Sequence, residues 1–139
     1  MLSETTYLKV YRFSAWYDLH VTWPLAFAPT CLIFWNYILA PLADLLGLAA
    51  LPDLDVHAVL FANFCGSVVI VWSLARLYLN DPRLGLFDGA ARLLFSLAMI
   101  TALMSGATPL LWGFLIPEIA LGIVQILGKP GMRLSGRKL

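Results

Sequence analysis

The stretch LLFSLAMITALMSGATPLLWGFLIPEIALGIVQIL, residues 93–127, decides the fold. Its only ionisable side chain is Glu118. As one helix it would be about 52 Å long at ~1.5 Å per residue, whereas a bilayer's hydrocarbon layer is only ~30 Å thick. Ser105-Gly106-Ala107-Thr108-Pro109, near its middle, supplies turn chemistry and a helix breaker. The stretch therefore reads as two crossings joined by a tight hairpin, residues 86–104 and 109–127.

Working toward the N-terminus, AVLFANFCGSVVIVWSLA (58–75) carries no charge and marks a span over 57–79. Residues 19–43 lack Asp, Glu, Lys and Arg and contain Pro24, Pro29 and Pro41. Proline removes a backbone donor and bends a helix, which neighbouring helices tolerate in lipid. Four spans follow, over 19–43, 57–79, 86–104 and 109–127. Composition agrees: 61% of the 139 residues are apolar and 12% charged, about half the charge of an average soluble domain. The predicted fold is all-α, a polytopic up-and-down four-helix transmembrane bundle.

Charge placement supports an even number of crossings. Lys9 and Arg12 precede the first span, and Arg76, Arg83 and Arg92 lie around the second connection. Lys129, Arg133, Arg137 and Lys138 follow the last span. The opposite loops carry Asp44, Asp53 and Asp55 and no cation. Basic loops stay on the cytoplasmic side, so both termini are expected there. Residues 1–18 read as a short interfacial segment, with Tyr7, Tyr11, Phe13, Trp16 and Tyr17 at headgroup depth. Residues 129–139 read as a basic cytoplasmic tail. The opening MLSETTYLKVYRF (1–13) has no signal-peptide pattern.

A lone carboxyl at bilayer depth must be held or used. Pro117 precedes Glu118 and leaves the Gly113 carbonyl without a helical donor. Arg92, entering the third span, is the arginine whose depth lets it reach Glu118. Asp88 competes for it from one turn earlier on the same helix face. Arg76 lies at the cytoplasmic end of the second span. Asn63 and Ser67 share a face in that span, Ser96 is one turn beyond Arg92, and Gln125 is two turns beyond Glu118. Glu118, Arg92, Asp88, Asn63, Ser67, Ser96 and Gln125 thus form the candidate ligand-binding or buried polar network. Two readings stand open for it: a ligand site inside the bundle, or interhelical hydrogen bonding alone.

No catalytic constellation is visible. There is no nucleophile elbow, HExxH or phosphate-binding glycine loop. His20 and His57 sit at opposite membrane faces and cannot share a metal, and Cys31 and Cys65 lack metal spacing. The cations follow the topology rule, not a nucleic-acid stripe.

FANFCGSVVIVWSLARL (61–77), GLFDGAARLLFSLAMITAL (85–103) and GFLIPEIALGIVQ (113–125) resemble the small four-span DoxX-like and BphX-like integral membrane proteins. The resemblance implies an up-and-down bundle in the bacterial cytoplasmic (inner) membrane. It also implies association with quinone-linked oxidation or with aromatic breakdown, and it carries over no catalytic residues. The function expected first is a non-enzymatic accessory subunit docking on a larger membrane complex. The second is a binder or transporter of a small apolar or aromatic compound or quinone around Glu118. A lipid- or quinone-active enzyme is the third. The bilayer is the expected partner, together with a protein partner or a second copy, and lipid or quinone is the expected cofactor class.

Overall fold

The computed structural model describes residues 2–128. The basic tail expected over 129–139 lies outside them. Every regular element among the described residues is helical. Helix α1 spans Glu4–Thr22, and a 3₁₀ turn, Trp23–Ala26, follows it. Helices α2 (Ala28–Phe34) and α3 (Ala40–Leu45) are joined by a π-helical turn, Trp35–Leu39. Then come α4 (Val56–Leu79), α5 (Leu84–Met104), a 3₁₀ turn at Pro109–Leu111, and α6 (Trp112–Leu127). Four rods are long and apolar enough to cross a membrane: Ala28–Leu45, Val56–Leu79, Leu84–Met104 and Pro109–Leu127. The chain is a four-helix membrane bundle with α1 added.

Local chemistry explains the breaks. Pro24 occupies the first turn of the 3₁₀ segment, where its missing N–H costs nothing. The expected first span is therefore cut at Trp23–Ala26, and residues 19–22 belong to α1. Pro41 cannot donate to the carbonyl of Tyr37, and its ring crowds that carbonyl. The chain widens there instead, with the N–H of Ala40 reaching the carbonyl of Trp35. Asp55 caps α4, accepting from the N–H of Ala58 at 2.7 Å. Asn80 ends it in the left-handed conformation that asparagine tolerates, φ 47°. Gly106, φ 90°, makes the α5–α6 hairpin, where a side chain would be strained.

Helix α1 does not simply lie along an interface. It docks on α4 and α6 through one stripe, Tyr7, Tyr11, Ser14, Ala15 and Asp18, all buried. Two glycines let the elements close. Gly66 lies under the Trp23–Ala26 turn, where an added Cβ would sit 2.6 Å from the backbone N of Ala26. Gly89 faces Ile126 across the α5–α6 contact, the small-residue packing that membrane helices favour. The N–H of Leu2 donates to the carbonyl of Gly128 at 3.2 Å, so the two ends of the described chain meet.

Candidate functional site

Four helices bring their charged side chains to one place. Helix α1 supplies Asp18, α4 supplies Arg76, α5 supplies Asp88 and Arg92, and α6 supplies Glu118. Arg76 is wholly buried and makes ion pairs with both Asp18 and Asp88. Arg92 holds Asp18 at 2.7 Å, Asp88 at 3.2 Å and Glu118 at 2.9 Å. A buried guanidinium is tolerated only with such partners, and its planar fork suits several carboxylates at once.

Neutral groups complete the cluster. The Ser14 hydroxyl accepts from Arg92 at 2.7 Å, from Arg76 at 3.2 Å and from the Gln125 amide at 2.8 Å. It lies 3.3 Å from Asp88 Oδ2, to which it donates. Trp72 Nε1 donates to Asp88 at 2.8 Å, and Ser73 accepts from Arg76 at 3.2 Å. Tyr7 donates to the Gln125 carbonyl at 3.0 Å and Tyr11 to the Arg76 carbonyl at 3.3 Å. Burial pushes the Tyr11 phenol up to about 12, against the opposing pull of Arg76. It therefore remains a neutral donor at physiological pH.

The candidate residues divide. Asp88, Arg92, Glu118 and Gln125 join the cluster. Ser96 is buried on the same side of α5 and lines a groove with Glu118. Asn63 does not join. With its amide nitrogen turned inward it donates to the carbonyls of Leu25 at 2.8 Å and Val59 at 3.2 Å, tying the proline turn to α4. Ser67 is exposed and makes no side-chain hydrogen bond among the described residues. Arg76 and Asp18 are central, although neither was among the candidates. Arg76 does not touch Glu118; the two are linked through Asp18, Asp88 and Arg92. The recurrence of Tyr7, Tyr11, Ser14 and Asp18 at helical spacing was the available signal, hidden among aromatic residues that read equally as an interfacial belt.

The cluster reaches the surface at a groove of about 270 Å³ between α5 and α6. Gly89, Leu93 and Ser96 form one wall, and Ile119, Gly122, Ile123 and Ile126 form the other. Glu118 also lines it, with 16% of its side chain exposed against 3% for Arg92, and the surface of the groove is almost wholly apolar. Glu118 Oε2 is close to Arg92 without hydrogen-bond alignment, and Ser96 Oγ has no partner among the described residues. No group of His, Cys, Asp and Glu among the described residues is arranged to hold a metal ion. No family model matches this chain, and neither the curated proteins nor the solved structures contain a match to it.

Proposed function

We propose that this multi-pass protein resides in the bacterial cytoplasmic membrane with both ends in the cytoplasm. There it binds a small, largely apolar molecule in the α5–α6 groove. The groove itself carries this reading: a concave surface between two helices whose lining is almost wholly apolar, with the buried ion-pair cluster directly behind it. Ligand pockets are concave and lined mostly by apolar side chains, which suits a ligand whose body is hydrocarbon. The meeting of Leu2 with Gly128 and the one-sided cations support the orientation. An accessory subunit has no feature of its own here, because exposed Phe61, Phe64 and Val68 are the kind of surface that lipid covers.

The test is extraction of protein purified in mild detergent, followed by mass spectrometry of what it retains. One small molecule per chain is expected, lost when Ile123→Trp fills the groove while thermal stability holds. An empty groove, or a stoichiometric protein partner with no small molecule, would count against the reading.

A further inference from the structure

The surface of the α5–α6 groove is almost wholly apolar, and the polar atoms behind it, Glu118 Oε2 and Ser96 Oγ, are covered. An occupant therefore meets hydrocarbon along the groove and keeps any polar group outside it. The walls face away from the bundle: Leu93 is 65% exposed and Ile123 52%. The groove thus opens sideways, toward lipid. It runs along the helices from Gly89 and Leu127 to Ser96 and Ile119. At ~1.5 Å per residue that is about 10–12 Å, most of the depth of one ~15 Å leaflet.

The two ends of the groove differ in charge. Leu127, the last residue of α6, lines one end. One glycine later the sequence turns basic: residues 129–139 carry Lys129, Arg133, Arg137 and Lys138 and no acidic side chain. On the facing helix, Arg83 is exposed at the start of α5, six residues before Gly89 and on the same side. The acids near that end are Glu4, exposed in the first turn of α1, and Asp81, which accepts from the backbone N–H of Arg83 at 2.8 Å. The other end offers only Glu118, already paired with Arg92. A hydrocarbon slot open to lipid, with cations at one end, has the polarity of a lipid with a negative head. Arginine grips phosphate through paired N–H donors, and clustered Lys and Arg beside a membrane attract anionic lipid.

Resting on the groove being a binding site, we infer that its ligand class is the anionic, phosphate-headed lipid, held one per chain. One hydrocarbon chain of the lipid lies between Leu93 and Ile123. Its phosphate stays at the cytoplasmic mouth, where Arg83 and Lys129 meet it. The ion-pair cluster behind the groove touches no part of the ligand; it holds the two walls together from the inside. A second copy of this chain is the competing occupant. Copies in one membrane share an orientation, so a second copy would bring the same cations to the mouth and set like charges against each other. A lipid phosphate neutralises them.

Native mass spectrometry of the full-length protein in mild detergent tests this with three lipids of identical chains: dioleoylphosphatidylglycerol, dioleoylphosphatidylcholine and dioleoylglycerol. One phosphatidylglycerol per chain is expected, at least about tenfold tighter than the other two. Raising the ammonium acetate concentration should narrow that preference, since exposed charges are screened by salt. Ile123→Trp and Leu93→Trp, one on each wall, should each weaken all three lipids several-fold at an unchanged melting temperature; using both keeps the result from resting on the folding of one variant. Arg83→Gln combined with Lys129→Gln should bring phosphatidylglycerol down to the level of phosphatidylcholine. Equal retention of all three lipids, lost in both tryptophan variants, would overturn the anionic head and leave the groove reading standing. No retention of these lipids, with a different small molecule recovered by extraction, would do the same for the lipid class. A phosphatidylglycerol preference untouched by either tryptophan would put the lipid on the charged surface alone and overturn the inference. A lipid-free dimer would give the face to a second copy and remove both readings.

Discussion

At the scale of single residues, Arg76 is the side chain the fold can least spare. It is wholly buried, and its Nη atoms meet Asp18, Asp88, Ser14 and Ser73. Arg76→Met would leave two aspartates to share Arg92, and removing one partner of a buried pair costs about 3–5 kcal/mol. Unfolding in detergent should show that loss. Adding Asp18→Leu should recover part of it, since the double change removes one charge of each sign; a coupling of about 0.5–3 kcal/mol is expected. Strictly additive losses would mean that the two residues act independently. Glu118, Arg92 and Asp88 were legible in the sequence because each interrupts an apolar run at a depth that can be counted. Asp18 and Arg76 were not, because each sits at a span's border, where charge is ordinary and burial depends on which helix docks beside it.

At the scale of elements, prolines and glycines decide the shape. The Trp23–Ala26 turn lies on α4 only because Gly66 has no side chain, so Gly66→Val must displace backbone at Leu25 and Ala26. A cost of about 1–3 kcal/mol is expected from such overpacking, read as a lower melting temperature. Gly113→Ala is the control: nothing lies within 4 Å of the added Cβ. Alanine favours helix by about 1 kcal/mol over glycine, so stability should hold or rise. A Gly66→Val protein that melts like the parent would remove the close approach from the account. The four apolar rods were readable from hydropathy, and the hairpin at Gly106 from its turn residues. The break near Pro24 was signalled by the proline, but nothing local says whether a proline bends a helix or ends it. Here Phe27, in extended conformation at φ −129°, ψ 136°, ends it.

At the scale of the whole molecule, α1 converts a lipid-facing bundle into one with a charged interior. Its aromatic residues concealed this role, since Tyr and Trp near a membrane are ordinarily read as interface anchors. The meeting of Leu2 and Gly128 makes the topology checkable. Reporter tags at the two ends should respond from the same compartment, which in the proposed orientation is the cytoplasm. Tags that respond from opposite sides would exclude the arrangement. The cluster also sets an order on biosynthesis. Asp18 emerges from the ribosome long before Arg76 and Arg92, and Glu118 emerges last. A nascent chain halted after α4 holds Arg76 with Asp18 but without Asp88, and one halted after α5 still lacks Gln125 for Ser14 and Glu118 for Arg92. Truncated or slowly inserted chains therefore present incompletely partnered polar groups inside the bilayer, the kind of defect that membrane proteases and insertion chaperones can sense.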